Sequence, residues 1–151
     1  MKAFSKEEQK NYEKSNKVEK VALSRFNKTF YSNLLADKNR QKDSQQLVEY
    51  LSEKFGISTP NVVIKETPQP HATNLRGSLK SKTYGTYQVG TETITIYNKT
   101  AVRKEQVSIK QFADTLLHEF MHHYDTKYLK IQTIHSAGFY KRISDLKEKL
   151  S

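Results

Sequence analysis

Apolar residues recur every four positions at Val18, Ala22, Phe26, Phe30 and Leu34, and Val21, Leu23, Tyr31 and Leu35 widen the stripe. That period is close to the 3.6 residues of a helical turn, so it predicts one long helix over residues 18–35 with a single buried face. The Lys-rich residues 1–17 ahead of it read as a flexible lead-in. A second helix is expected from Asp43, where Asp43 and Gln46 suit a capping box; Leu47, Val48, Leu51 and Phe55 share one face, and Gly56 stops it. The pattern then changes. Asn61 to Lys65 is a short β-branched strand, and Pro68 and Pro70 mark a loop. Residues 84–89 and 93–97 flank a turn at Gly90, with Ile94 and Ile96 on one face of the second segment, which predicts a hairpin. Ser108 and Gln111 form another capping box, with Val107 and Phe112 at the positions of a hydrophobic staple, so a helix should run to about Tyr128. Ser136 caps a last helix striped by Phe139, Ile143, Leu146 and Leu150. Helices, then strands, then helices indicate an α+β fold rather than alternating βαβ units. The 151 residues suit one domain, 1–151.

Composition narrows the chemistry. The chain has no cysteine, which excludes disulfides, thiol nucleophiles and cysteine-ligated zinc and leaves His and carboxylates as the strong metal ligands. No secretory leader and no apolar run near the roughly 20 residues of a membrane span is visible, so the expectation is a soluble, cytoplasmic protein with no membrane partner. The formal net charge of +10 favours polyanionic partners such as nucleic acid.

The helix that starts at Ser108 carries His118-Glu-Phe-Met-His122. Residues four apart project from nearly the same side of a helix, so the two imidazoles can meet at one metal ion. Glu119 lies about 100° further round, where in this pattern a carboxylate serves as general base. With five His in 151 residues the pattern is expected by chance only roughly 0.01 times, so chance is a poor explanation. Ile109, Phe112, Ala113, Leu116, Leu117 and Phe120 mark the buried face, and His118 and His122 point away from its centre. One Zn2+ per chain is expected, with three protein ligands and an open fourth position. The candidates for the third ligand are His135, Asp125, His123 and His71. His123 falls near the core face, Asp125 suits a supporting role, and His71 lies in a Pro-flanked loop. His135 stands immediately before the cap of the last helix, where packing can hold it against the first two, and it is the assignment made here.

The run His118-Glu-Phe-Met-His122, followed by His135-Ser-Ala-Gly-Phe139 opening a helix, resembles the SprT-like (Spartan-type) zinc metallopeptidases. Gly85-Thr-Tyr87 and Ile94-Thr-Ile-Tyr-Asn98 match in kind the strands that precede the metal helix in that family. The likeness covers residues 84–146. Ser136 stands where the family usually has Gly, and the cysteine-rich zinc ribbon that follows many members is absent from this sequence. The resemblance implies a zincin-like fold: N-terminal helices, a short sheet whose edge strand borders the metal cleft, the metal helix and a C-terminal helix. It also implies His135 as third ligand and a peptidase activity linked to DNA.

On this reading Glu119 acts on water as general base, and protein or peptide substrates add to an edge strand formed by Thr93, Ile94, Thr95, Ile96 and Tyr97. The sequence singles out no oxyanion donor among Tyr124, Tyr140 and Arg142. Basic residues concentrate between Lys65 and Lys104, with Tyr84 and Tyr87 among them, and Arg76, Lys80 and Lys82 are the expected contacts to single-stranded or damaged DNA. The rival expectation is a nucleic-acid-binding module with a structural or inactive zinc site, which needs a closed four-ligand sphere including His123 or Asp125.

Overall fold

Ser5 opens the first helix by accepting a hydrogen bond from the Glu8 amide at 3.1 Å, and α1 then runs over Lys6–Lys17. Acidic Glu7 and Glu8 lie in its first turn and basic Lys14 and Lys17 in its last, complementing the helix dipole. The computed structural model describes residues 5–68, 71–73, 79–82, 84–100 and 103–151. Among these, α2 covers Thr29–Leu35 and α3 covers Arg40–Phe55. Five strands follow: β1 (Asn61–Pro68), β2 (His71–Thr73), β3 (Leu79–Lys82), β4 (Gly85–Gln88) and β5 (Thr93–Lys99). Helix α4 (Ile109–Tyr124) continues into a π-helical turn, Asp125–Leu129, and α5 (Ala137–Leu150) closes the order. The class is α+β, as the order of patterns predicts.

A three-stranded mixed sheet has the order β1-β5-β4, with β1 parallel and β4 antiparallel to β5. Strands β2 and β3 form a separate antiparallel pair. Helix α4 lies at the centre and touches β4, β5, α2, α3 and α5. Its Phe112, Ala113, Leu116, Leu117 and Phe120 are fully buried with Leu47, Val48 and Leu51 of α3, Ile94 and Ile96 of β5, and Phe139, Leu146 and Leu150 of α5. The caps at Ser108 and Ser136 form as expected: each hydroxyl accepts the amide three residues on, at 3.2 and 3.1 Å.

The structure corrects several expectations. No single helix spans residues 18–35; residues 18–28 are non-helical and only α2 forms. The Val21 amide donates to Asp145 and the Ala22 amide to the Tyr124 hydroxyl, at 2.9 and 3.1 Å, so distant side chains take donors that a helix would use internally. Residues 6–17, expected as a flexible lead-in, form α1. Helix α3 begins three residues earlier than its pattern suggests, because Asn39, not Asp43, caps it. Gly56 does end it, in the left-handed conformation at φ 67°. Pro68 closes β1 instead of opening a loop, and β5 is the central strand, so the edge strand is not Thr93–Tyr97. Both sides of β5 are occupied by its ladders to β1 and β4, which are the two edge strands of the sheet.

Gly138, in the first turn of α5, sets how closely α1 can approach. A Cβ there would run into the Ser15 carbonyl oxygen and lie 2.7 Å from the Asn16 Cα, both backbone atoms that cannot swing aside. Gly90 has open space around the same position. Gly138→Ala should therefore cost roughly 1–3 kcal/mol in urea unfolding, whereas Gly90→Ala should change stability by less than about 0.5 kcal/mol.

Candidate metal centre

Helix α4 places His118 and His122 one turn apart, and the connection after the π-helical turn brings His135 back over them. The His135 Nε2 lies 3.3 Å from the His118 Nε2 and 3.0 Å from the His122 Nε2. Three imidazole nitrogens bound tetrahedrally to one zinc at about 2.0–2.1 Å would be about 3.3–3.4 Å apart, so the spacing suits such an ion. His118, His122 and His135 form the one His and carboxylate cluster among the described residues that is close enough to hold a metal.

Their protonation suits that role. Burial, and then the nearby His135, push the His118 imidazole down to about 4; burial, followed by His118 and His135, pushes His122 down to about 3. Both are neutral at physiological pH, with lone pairs available. For His122 the neighbours also select the tautomer. Thr133 donates its hydroxyl proton to Asp125 Oδ2 at 3.2 Å and stands 2.7 Å from the His122 Nδ1, so that nitrogen must be the donor and Nε2 the free acceptor. Carboxylate-backed hydrogen bonds of this kind hold ligating histidines in orientation.

Phe139 forms the floor. Its ring stacks on His122 at 4.5 Å between centroids and 28°, and it meets His118 at 5.1 Å and His135 at 5.5 Å. One apolar ring thus shields the inner side of all three imidazoles. A cleft of about 640 Å³ opens at the cluster, lined by β4 and by the three histidines. Gly85 allows the close approach: a Cβ there would be 2.8 Å from Thr115 Cγ2 and from the Thr95 carbonyl oxygen, and 3.5 Å from Glu119 Cγ.

Glu119 also lines this cleft, although it is only 5% exposed. Its Oε1 is 4.0 Å from the His118 Nε2, and its buried Oε2 has no hydrogen-bond partner among the described residues. Burial pushes this carboxyl up to about 7. A buried carboxylate with one oxygen left unpartnered among the described residues fits a cation at the neighbouring nitrogens, whose charge would favour the ionised form. The donor set and this orphaned oxygen therefore fit a metal ion.

The other sequence-predicted residues separate from this centre. His123 is fully buried, accepts from the Tyr87 hydroxyl at Nδ1 and donates from Nε2 to the Ser58 carbonyl, both at 2.6 Å, as a packed histidine should. Asp125 is fully buried and bound to Arg142 at 2.8 and 3.1 Å. That bond also removes Arg142 from the oxyanion candidates, and Tyr124 is buried with its hydroxyl on the Ala22 amide. Tyr140 is half exposed, with its ring 6.1 Å from those of His118 and His135. Thr93 to Tyr97 do not line the cleft; Tyr84, Gly85, Thr86 and Tyr87 do. Lys80 and Lys82 lie on β3, and Arg76 lies outside the described residues. Thr133 and the floor role of Phe139 escaped the sequence reading, since a lone Thr carries no local signal and Phe139 reads as one more stripe position.

Among the described residues no helix is long and apolar enough to cross a membrane. Compared with protein-family models, with curated proteins and with solved structures, the chain matches none. If the cluster holds the metal, wild-type protein should carry one equivalent by elemental analysis. His135→Ala should lose most of it, and His123→Asn should retain it despite lower stability. Equal retention in the two variants would place the third ligand elsewhere.

Proposed function

We propose that this chain is a zinc-dependent endopeptidase of the SprT-like kind, with a zincin-like fold. The observation that carries the reading is the convergence of the His118, His122 and His135 Nε2 atoms beside a buried carboxylate oxygen of Glu119 that has no hydrogen-bond partner among the described residues. A structural zinc site would call for a fourth ligand. His123 and Asp125, the residues nearest in sequence that might serve, have both nitrogens and both oxygens committed to other partners. What remains is a three-ligand set that opens on a cleft, the arrangement of catalytic sites.

His118, His122 and His135 would hold the ion, which when bound supplies a Lewis acid toward a peptide carbonyl and lowers the pKa of water toward 7. Glu119 takes a proton from the attacking water on its carboxylate and delivers it to the leaving amine. The hydrogen bond through Thr133 to Asp125 keeps the His122 proton on Nδ1, and Phe139 excludes water from the inner face. An extended substrate adds along β4, the strand that borders the cleft, and is held largely by its backbone.

Glu119→Gln should keep the metal while hydrolysis of an unfolded protein drops by about 10²–10⁴, the usual worth of a general base. Metal loss in this variant would instead make Glu119 a ligand. A metal-loaded wild type that cleaves no unfolded protein, with or without DNA, would favour the structural or inactive zinc site.

The net charge of +10 supports substrates carried on nucleic acid. Affinity for single-stranded DNA should then fall steeply with salt, and the triple variant Arg76→Gln, Lys80→Gln, Lys82→Gln should flatten the log–log slope by roughly 2. Absence of binding at low salt would remove the nucleic-acid part and leave the peptidase reading standing.

A further inference from the structure

Helix α1 is almost wholly polar, and Ser15 is its one buried residue. Without an apolar face it is not held by hydrophobic burial, the usual anchor of a helix in a folded domain. Hydrogen bonds hold it, and they converge on the segment that carries Thr133 and His135. The Asn11 side chain grips the backbone of Gln132 from both sides: Nδ2 donates to its carbonyl at 2.8 Å, and Oδ1 accepts from its amide at 3.0 Å. Ser15 Oγ lies 2.7 Å from the Oγ of Ser136, the buried cap of α5 and the residue after His135. The Asn16 side chain accepts from the Gly138 amide at 3.0 Å. Arg142 donates to the Ser15 and Val18 carbonyls at 2.6 and 2.7 Å while holding the Asp125 to which Thr133 is bonded.

Helix α1 therefore touches both supports of the histidine cluster. Through Asn11 it holds the residue before Thr133, and through Ser15 the residue after His135. His118 and His122 sit on the buried helix α4, but His135 is exposed and lies in a connection with no regular structure of its own. We propose that α1 is a hydrogen-bonded strap that assembles the three-histidine site, with Asn11 and Ser15 as positioning residues for Thr133 and His135. The inference rests on the metal reading of the cluster. Docking of α1 and metal binding are then thermodynamically linked, each favouring the other by the same factor. A polar helix held by hydrogen bonds rather than by apolar burial is the kind of element whose docking a bound ligand can shift.

The full-length chain tests this with Co2+ and Zn2+ as probes. Asn11→Leu keeps the side-chain size and removes both hydrogen bonds, Ser15→Ala removes one buried hydroxyl, and Lys14→Ala on the same helix is the control. Zinc affinity measured against a chromophoric chelator should fall by about 10-fold or more in the first two and stay level in the control, the range seen when groups that orient ligands are removed. The visible bands of bound Co2+ should shift in Asn11→Leu, while its urea midpoint without metal stays near that of Lys14→Ala. In the wild type, zinc should slow amide exchange across α1 and residues 130–138 more than in the middle of α3, which a purely structural helix would not show. Unchanged affinity in both variants, together with zinc-independent exchange in α1, would overturn the strap and leave the metal reading intact. A wild type that binds neither ion would overturn both.

Discussion

Both the fold and the candidate site depend on the ion pair between Arg142 and Asp125, each of which is fully buried. Desolvating two charges is costly, and the cost is offset only when their remaining hydrogen-bonding groups are satisfied. Here all five guanidinium donors find acceptors: Nε on Asp125 Oδ1, one terminal nitrogen on the Ser15 and Val18 carbonyls, the other on Asp125 Oδ2 and Ser15 Oγ. Burial pushes the Asp125 carboxyl above its ordinary range, against the pull of the guanidinium and of Thr133. Removing either partner would strand a buried charge, which typically costs about 3–5 kcal/mol. The pair joins three stretches remote in sequence: the end of α4, the middle of α5 and the last turn of α1. Thr133 and Ser136 are attached to the same knot, so its geometry reaches both His122 and the residue beside His135.

Helix α4 turns that rigidity into a site because it serves two layers at once. Its apolar face is locked among α3, α5 and β5, which leaves its backbone no freedom to adjust. The histidines then project from a fixed support, and precision in a metal site comes from ligands on rigid elements. Glu119 occupies the intermediate direction, buried against β4 where Gly85 makes room, yet facing the cleft. The same helical phase that keeps His118 and His122 out of the core brings His123 into it, where Tyr87 and Ser58 satisfy both of its nitrogens.

Local chemistry in the sequence predicted the parts of this arrangement that local chemistry governs. Ser108, Ser136 and Gly56 act within one helical turn, and His118 and His122 share a helix, so spacing alone placed them. His135 does come within reach of His118 and His122, because it adjoins a helix cap, which gives the side chain a definite position. The failures share a cause. The period of four in residues 18–35 is compatible with a helix, but Asp145 and Tyr124, more than 100 residues away, capture the Val21 and Ala22 amides. Tyr31 and Leu34 reach the core from a short α2 and Val21 from a non-helical segment, whereas Ala22 and Leu35 of the same stripe are exposed, so the stripe is only in part a buried face. Sheet order is likewise absent from strand patterns: nothing in Thr93–Tyr97 says that β1 returns to pair with it in parallel. The Thr133–Asp125–Arg142 chain is a tertiary arrangement with no signature at any one of its residues.

The two edges of the sheet differ in a way that bears on the proposed function. An open strand edge invites pairing with another chain, and proteins ordinarily cover or blunt it. At β1 the cover comes from α3. Gln41 donates to the Val62 carbonyl at 2.8 Å, and Gln45 accepts from the Val62 amide at 2.9 Å and donates to the Pro60 carbonyl at 3.1 Å. Side-chain amides there take the place of a neighbouring strand. At β4 no described strand pairs the outer edge, and that edge borders the cleft that holds Glu119 and the three histidines. Recognition through a strand edge uses the backbone of an extended chain, which every peptide has, so it tolerates many sequences. An enzyme that cleaves varied proteins needs that kind of recognition beside its reacting groups. The covered edge lies across the sheet from the cleft, and the edge that no described strand pairs lies where the proposed substrate would be held.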